Sequence, residues 1–128
     1  SLNKPCSTLI ESMKNHSIDV NKLVFIDCVG RNISKKCAII SSPSKLTDIG
    51  ITIDSILKKT KIEFIYIDSV DSFTIYNQVN MVIKFLRNLM EMAREKKIKG
   101  IMTSLDGADS SLINELFLVC DKVIGFDD

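Results

Sequence analysis

The feature that most constrains this chain is the run Phe64-Ile65-Tyr66-Ile67, which ends abruptly in Asp68 and Ser69. Four apolar residues without polar alternation predict a strand covered on both faces, the pattern of a central parallel strand. In sheets of that kind ligands sit beyond the carboxyl ends of the strands. Asp68 is therefore the first candidate for chemistry.

The surrounding pattern agrees with such a sheet. Leu9, Ile10 and Met13 fall on one helical face, with Glu11 and Lys14 outward; Pro5 suits the first turn and Ser7 is an alternative cap. Residues 23–29 predict a second apolar strand carrying Asp27 near its end, and residues 37–40 a short third. The serines around Pro43 offer helix caps ahead of a stripe made by Leu46, Ile49, Ile53, Ile56 and Leu57, weakened slightly by Gly50. Residues 70–77 predict a loop or first turn. The longest helix starts at Gln78, with Val79, Val82, Ile83, Leu86, Met90 and Ala93 inward and the basic residues 94–99 at its wet, dipole-complementing end. Gly100 breaks it. Residues 101–105 predict another buried strand. A helix with Leu112, Ile113, Leu116 and Phe117 inward follows, and then a last strand over residues 122–126.

Strands alternating with helices imply an α/β fold, a mostly parallel sheet with helices on both faces. The 128 residues suit one domain with a substantial core, and no linker or repeat divides them, so residues 1–128 are expected to be a single domain. A net charge of +1 and an aromatic content of 6% give no case for nucleic acid or an anionic membrane. No apolar run approaches the roughly 20 residues that span a bilayer, and residues 1–5 hold no signal-peptide core. The four cysteines lack C-x-x-C spacing, which favours reduced, mostly buried thiols in a cytoplasmic protein over disulfides or zinc. The chain opens on a loop leading straight into a helix. That order is expected either after removal of an initiator Met or in a fragment whose first strands are missing.

Three segments together carry a family resemblance. They are Ser1-Leu2-Asn3-Lys4-Pro5 with Thr8-Leu9; Asn21-Lys22-Leu23-Val24-Phe25-Ile26-Asp27; and Phe64-Ile65-Tyr66-Ile67-Asp68-Ser69 with Gly100-Ile101-Met102-Thr103-Ser104. In this order they resemble the archaeal KaiC/RecA-like ATPases, with Asp68 at the Walker B position. The resemblance implies a RecA-like P-loop NTPase core, incomplete at the amino terminus, and a nucleotide site at Asp68, Ser69 and Thr103. Asp68 would hold magnesium through water, and Thr103 or Ser104 would stand where relatives place a polar sensor. Capping of the loop at residues 106–109 is the alternative role for that pair.

Two departures limit what the resemblance implies. No G-x-x-x-x-G-K-[ST] occurs, so the backbone cradle and lysine that hold a triphosphate are missing from this sequence. In the family that loop lies upstream of the strand that would end near Leu2; ATP and Mg²⁺ are implied only if an upstream segment supplies it. The paired catalytic glutamates of the family align with Asn3 and Lys4. An amide cannot accept the proton of an attacking water, and an ammonium has no lone pair. The expectation is a degenerate or truncated ATP-binding domain, a regulatory or signalling switch with little or no hydrolysis and no catalytic residue. These relatives often stack, and a missing strand exposes apolar surface, so a dimer or homo-oligomer or a protein partner is expected.

Other readings stand beside this one. A nucleotide-free scaffold or interaction domain would keep the fold without the site. A receiver-like phosphoacceptor domain would use Asp27, Asp68 and Thr103, but Lys122 begins its strand where such domains need a lysine at a strand end. Asp68 alternatively caps the next loop through the Ser69 or Asp71 N–H groups, and Asp27 has a similar structural reading. His16 sits at a helix end without a nucleophile partner, and Tyr66 is expected in the core with its hydroxyl bonded.

Overall fold

The computed structural model describes residues 6–17, 24–27, 37–39, 42, 44–105 and 110–125. The order is α1 (Cys6–Asn15), β1 (Phe25–Asp27), β2 (Cys37–Ile39), α2 (Leu46–Lys59), β3 (Phe64–Ile67), α3 (Asp71–Tyr76), α4 (Val79–Glu95), β4 (Lys99–Met102) and α5 (Ser110–Val119). The described strands form two parallel pairs, β1 with β2 and β3 with β4. In the second pair Phe64 lies opposite Lys99 and Ile67 opposite Met102. An α/β architecture with parallel strands is thus present, as the alternation of elements predicts.

The core forms where helical stripes meet. Leu46, Ile49 and Ile53 of α2, Val82, Leu86 and Leu89 of α4, and Leu112 and Leu116 of α5 make one buried cluster with Val70 and Phe73. Ile65, Ile67 and Met102 pack against it from the β3–β4 pair. Phe73 meets Phe85 edge-on, with centroids 5.4 Å apart, inside the preferred range for aromatic pairs.

Several expectations are corrected. β3 is not covered on both faces: Phe64 is 55% and Tyr66 61% exposed, and Ile101 beside them is 51% exposed. An all-apolar strand hides its period of two, and only packing shows that Ile65 and Ile67 face the core. Tyr66 is consequently not a core residue. Residues 71–76 form a helix because Phe73 anchors them to the core; Thr74 Oγ1 donates to the Asp71 carbonyl and Asn77 Nδ2 to the Phe73 carbonyl.

Gly100 lies within β4 and does not end α4. The helix ends at Lys96, and Lys97 takes the left-handed φ of 56°. Lys97 N–H donates to the Arg94 carbonyl and Ile98 N–H to the Ala93 carbonyl, the two bonds of a Schellman cap. The serines before α2 do not cap it. Ser44 donates N–H and hydroxyl to Ser42 Oγ, and Lys45 is the N-cap without a side-chain bond.

Phe117 is exposed, because Leu112 and Leu116 set the buried line of α5 and Phe117 turns about 100° away from it. Residues 122–125 join no ladder, and Val123 and Ile124 are exposed. Apolar composition alone does not make a strand there, since a strand exists only through its hydrogen-bonded neighbour. Among the described residues no helix is long and apolar enough to cross a membrane.

Candidate functional site

The carboxyl ends of β3 and β4 come together because the strands run parallel and in register. The ladder continues one step past both strands: Thr103 N–H donates to the Ile67 carbonyl at 3.0 Å, and Val70 N–H to the Thr103 carbonyl at 3.0 Å. This places Thr103 beside Asp68. The Thr103 hydroxyl donates to Asp68 Oδ1 at 2.8 Å. Asp68 is exposed at the rim, and its second carboxylate oxygen has no protein partner among the described residues.

Ser69 lies beneath this rim. It is buried, with its hydroxyl 3.4 Å from that of Ser72. The peptide between Asp68 and Ser69 is cis. The structure therefore brings Asp68 and Thr103 into contact and puts Ser69 under the surface. The alternative cap, Asp68 on the following N–H groups, does not occur among the described residues.

A second carboxylate joins the first. Asp71, in the opening turn of α3, accepts the Ser104 hydroxyl on Oδ1 at 3.0 Å and the Leu105 N–H on Oδ2 at 2.6 Å. Two acids after β3 thus each take a hydroxyl from the end of β4. Sequence reasoning misses Asp71, since residues 70–77 look like a generic polar loop. The available signal is the spacing of Asp68 and Asp71 against the adjacent Thr103 and Ser104.

Asn3 and Lys4 lie outside the described residues, as do the side chain of Asp27 and all of residues 106–109. His16 is at the end of α1, with Nδ1 2.8 Å from the Ser12 carbonyl, a local helix-end contact. The basic end of α4 braces the neighbouring helix. Arg94 donates to the Val119 carbonyl at the end of α5 and reaches Asp121 at 3.3 Å. Arg87 pairs with Glu115 across the same two helices.

The donor set limits what ion this rim can hold. Among the described residues no group of three or more His, Cys, Asp or Glu side chains could enclose a metal. One exposed carboxylate with a hydroxyl beside it fits magnesium that keeps most of its waters and takes other ligands from a nucleotide. It does not fit an all-protein cage.

Neither the curated proteins nor the solved structures include a match to this sequence. A family model does match, and it spans nearly the whole chain. The model is that of the KaiC ATPase, over residues 2–127, which include every strand and helix described above, so the chain belongs to the KaiC ATPase family.

Proposed function

We propose that this domain is a RecA-like nucleotide-binding domain that takes ATP with Mg²⁺ and works as a regulatory switch with little or no hydrolysis. The observation that carries the reading is the Asp68–Thr103 pair, 2.8 Å apart at the ends of neighbouring parallel strands. An anionic oxygen at that rim suits a water-bound magnesium, and the neighbouring hydroxyl orients the carboxylate. Bound ATP–Mg²⁺ supplies the remaining phosphate ligands and charge. These 128 residues contain no G-x-x-x-x-G-K-[ST], so the proposal holds only where a phosphate cradle is supplied from outside them. Weak hydrolysis follows from Asn3 and Lys4 at the family's general-base positions.

The test is titration of the full-length gene product with a fluorescent ATP analogue, in Mg²⁺ and in EDTA. Saturable binding strengthened by Mg²⁺, with that gain removed in Asp68→Asn, supports the reading. No binding in either buffer overturns it, and brisk Mg²⁺-dependent turnover overturns the switch assignment.

A second reading, a nucleotide-free interaction domain, is favoured by one observation. Phe64, Tyr66 and Ile101 present an apolar strand face to solvent. Sedimentation at high concentration separates the two: self-association abolished by Tyr66→Lys, in a protein that ignores ATP, supports the interaction domain.

A further inference from the structure

We infer that Asp71 is a positioning residue that holds the end of β4 so that the Thr103 hydroxyl stays on Asp68. The nucleotide part of this inference rests on the function proposed above; the geometric part does not.

Past Met102 the chain has left β4, and Ser104 and Leu105 are both exposed. Thr103 is half-buried, but the Asp68 carboxylate it bonds is exposed, so water competes for that bond and it is worth little by itself. Thr103 is anchored through its backbone by Ile67 and Val70, but that ladder ends with it. The next two residues are gripped by Asp71 alone among the described residues, through Ser104 Oγ at 3.0 Å and Leu105 N at 2.6 Å. Asp71 is only partly exposed and sits in the first turn of α3, between buried Val70 and buried Ser72 and Phe73. Its anchor is therefore the core, through Phe73. Both of its oxygens are committed to one short segment, which removes the slack that would let Thr103 rotate its hydroxyl into water.

The geometry gives Asp68 and Asp71 different roles. Asp68 is exposed and spends one oxygen on Thr103, and the other has no protein partner among the described residues. Asp71 spends both oxygens on the neighbouring strand's end. Asp68 is the ligand candidate, and Asp71 keeps that ligand oriented without touching what it binds.

The experiment compares wild type, Asp71→Ala, Asp71→Asn and Thr103→Val. The first readout is the Thr103 side-chain rotamer, from three-bond NMR couplings to its methyl carbon in the absence of nucleotide. Wild type is expected to show one rotamer and Asp71→Ala an average over several. Asp71→Asn, which keeps one acceptor oxygen for Leu105 N–H, is expected to restore most of the single-rotamer couplings. An unchanged Thr103 rotamer in folded Asp71→Ala overturns the inference. If Asp71→Ala fails to fold, Asp71→Leu, which removes both acceptor oxygens and keeps the bulk of the side chain, carries the same readout, and wild-type couplings in it overturn the inference.

The second readout is the ratio of ATP-analogue affinities in Mg²⁺ and in EDTA. Asp71→Ala and Thr103→Val are each expected to cut that ratio roughly 10-fold, the equivalent of one charge-assisted hydrogen bond. The double variant is expected to lose no more than either single one. Additive losses overturn the inference. Absence of nucleotide binding in wild type overturns the proposed function instead, and the rotamer readout then decides the role of Asp71 by itself.

Discussion

Thr103 donates its hydroxyl to Asp68 Oδ1 across 2.8 Å, joining the end of β4 to the end of β3 although 35 positions separate the two residues in the chain. A carboxylate that accepts one such bond keeps a defined rotamer, and the other Asp68 oxygen has no protein partner among the described residues. Replacing Thr103 by Val removes the donor and keeps the shape. Because water can reach Asp68, the expected loss of stability is at the low end of the range for a hydrogen bond, about 0.5–1 kcal/mol. Urea unfolding measures it, and a loss above about 3 kcal/mol would mean that the pair is buried rather than at the rim.

Leu86 of α4 and Leu112 of α5 are both fully buried, where the stripes of α4 and α5 meet. Leu86→Ala or Leu112→Ala leaves a cavity that the surrounding helices fill only partly. The expected cost is about 2–5 kcal/mol each, a large share of the ~5–15 kcal/mol that keeps a domain folded. A fall in urea midpoint with unchanged slope is the expected signature. A loss below about 1 kcal/mol at both positions would place the core elsewhere.

Two helix positions carry removable conformational cost. Lys97 adopts a φ of 56°, which a side chain disfavours and glycine does not, so Lys97→Gly is expected to stabilise by about 1 kcal/mol. Gly50 sits inside α2, and a Cβ there would meet Phe85 Cε2 at 3.7 Å, an ordinary contact. Gly50→Ala is therefore expected to stabilise by about 0.5–1 kcal/mol through helix propensity. Thermal unfolding checks both, and a lowered midpoint in either variant contradicts the corresponding backbone assignment.

Cys120 follows α5 half-buried, and burial first and the Asp121 carboxylate second push its thiol above the usual range. The folded value is raised, so the unfolded chain ionises first as pH climbs. The contribution of this group to stability is fully present below the unfolded thiol value and is lost as pH rises through the folded one. Alkylation of Cys120, followed by mass spectrometry, is expected to have its midpoint at higher pH in the native protein than in urea. A lower native midpoint contradicts the burial.

How much of the fold is legible in the sequence follows from the range of each interaction. The stripe Leu46, Ile49, Ile53 is readable because helical spacing is local, and all three are buried. The end of α4 is not. Gly100 looks like the breaker, whereas Lys97 and Ile98 close the helix by bonding the Arg94 and Ala93 carbonyls. The exposed face of β3 is hidden as well, because Phe64 and Tyr66 stand in one unbroken run with Ile65 and Ile67 and no charged residue marks the solvent side.

The chain's own pattern determined the α/β alternation and the parallel pairing it entails through local periodicity, while the KaiC ATPase family is shown by the likeness of residues 2–127 as a whole to that family. It also determined that an acid and a hydroxyl follow two of the strands. Tertiary structure alone decided that Thr103 meets Asp68, that Asp71 grips Ser104 and Leu105, and that Arg94 reaches the end of α5. Those contacts join residues 25 or more positions apart. At such distances strand register and helix docking, rather than spacing along the chain, select each partner.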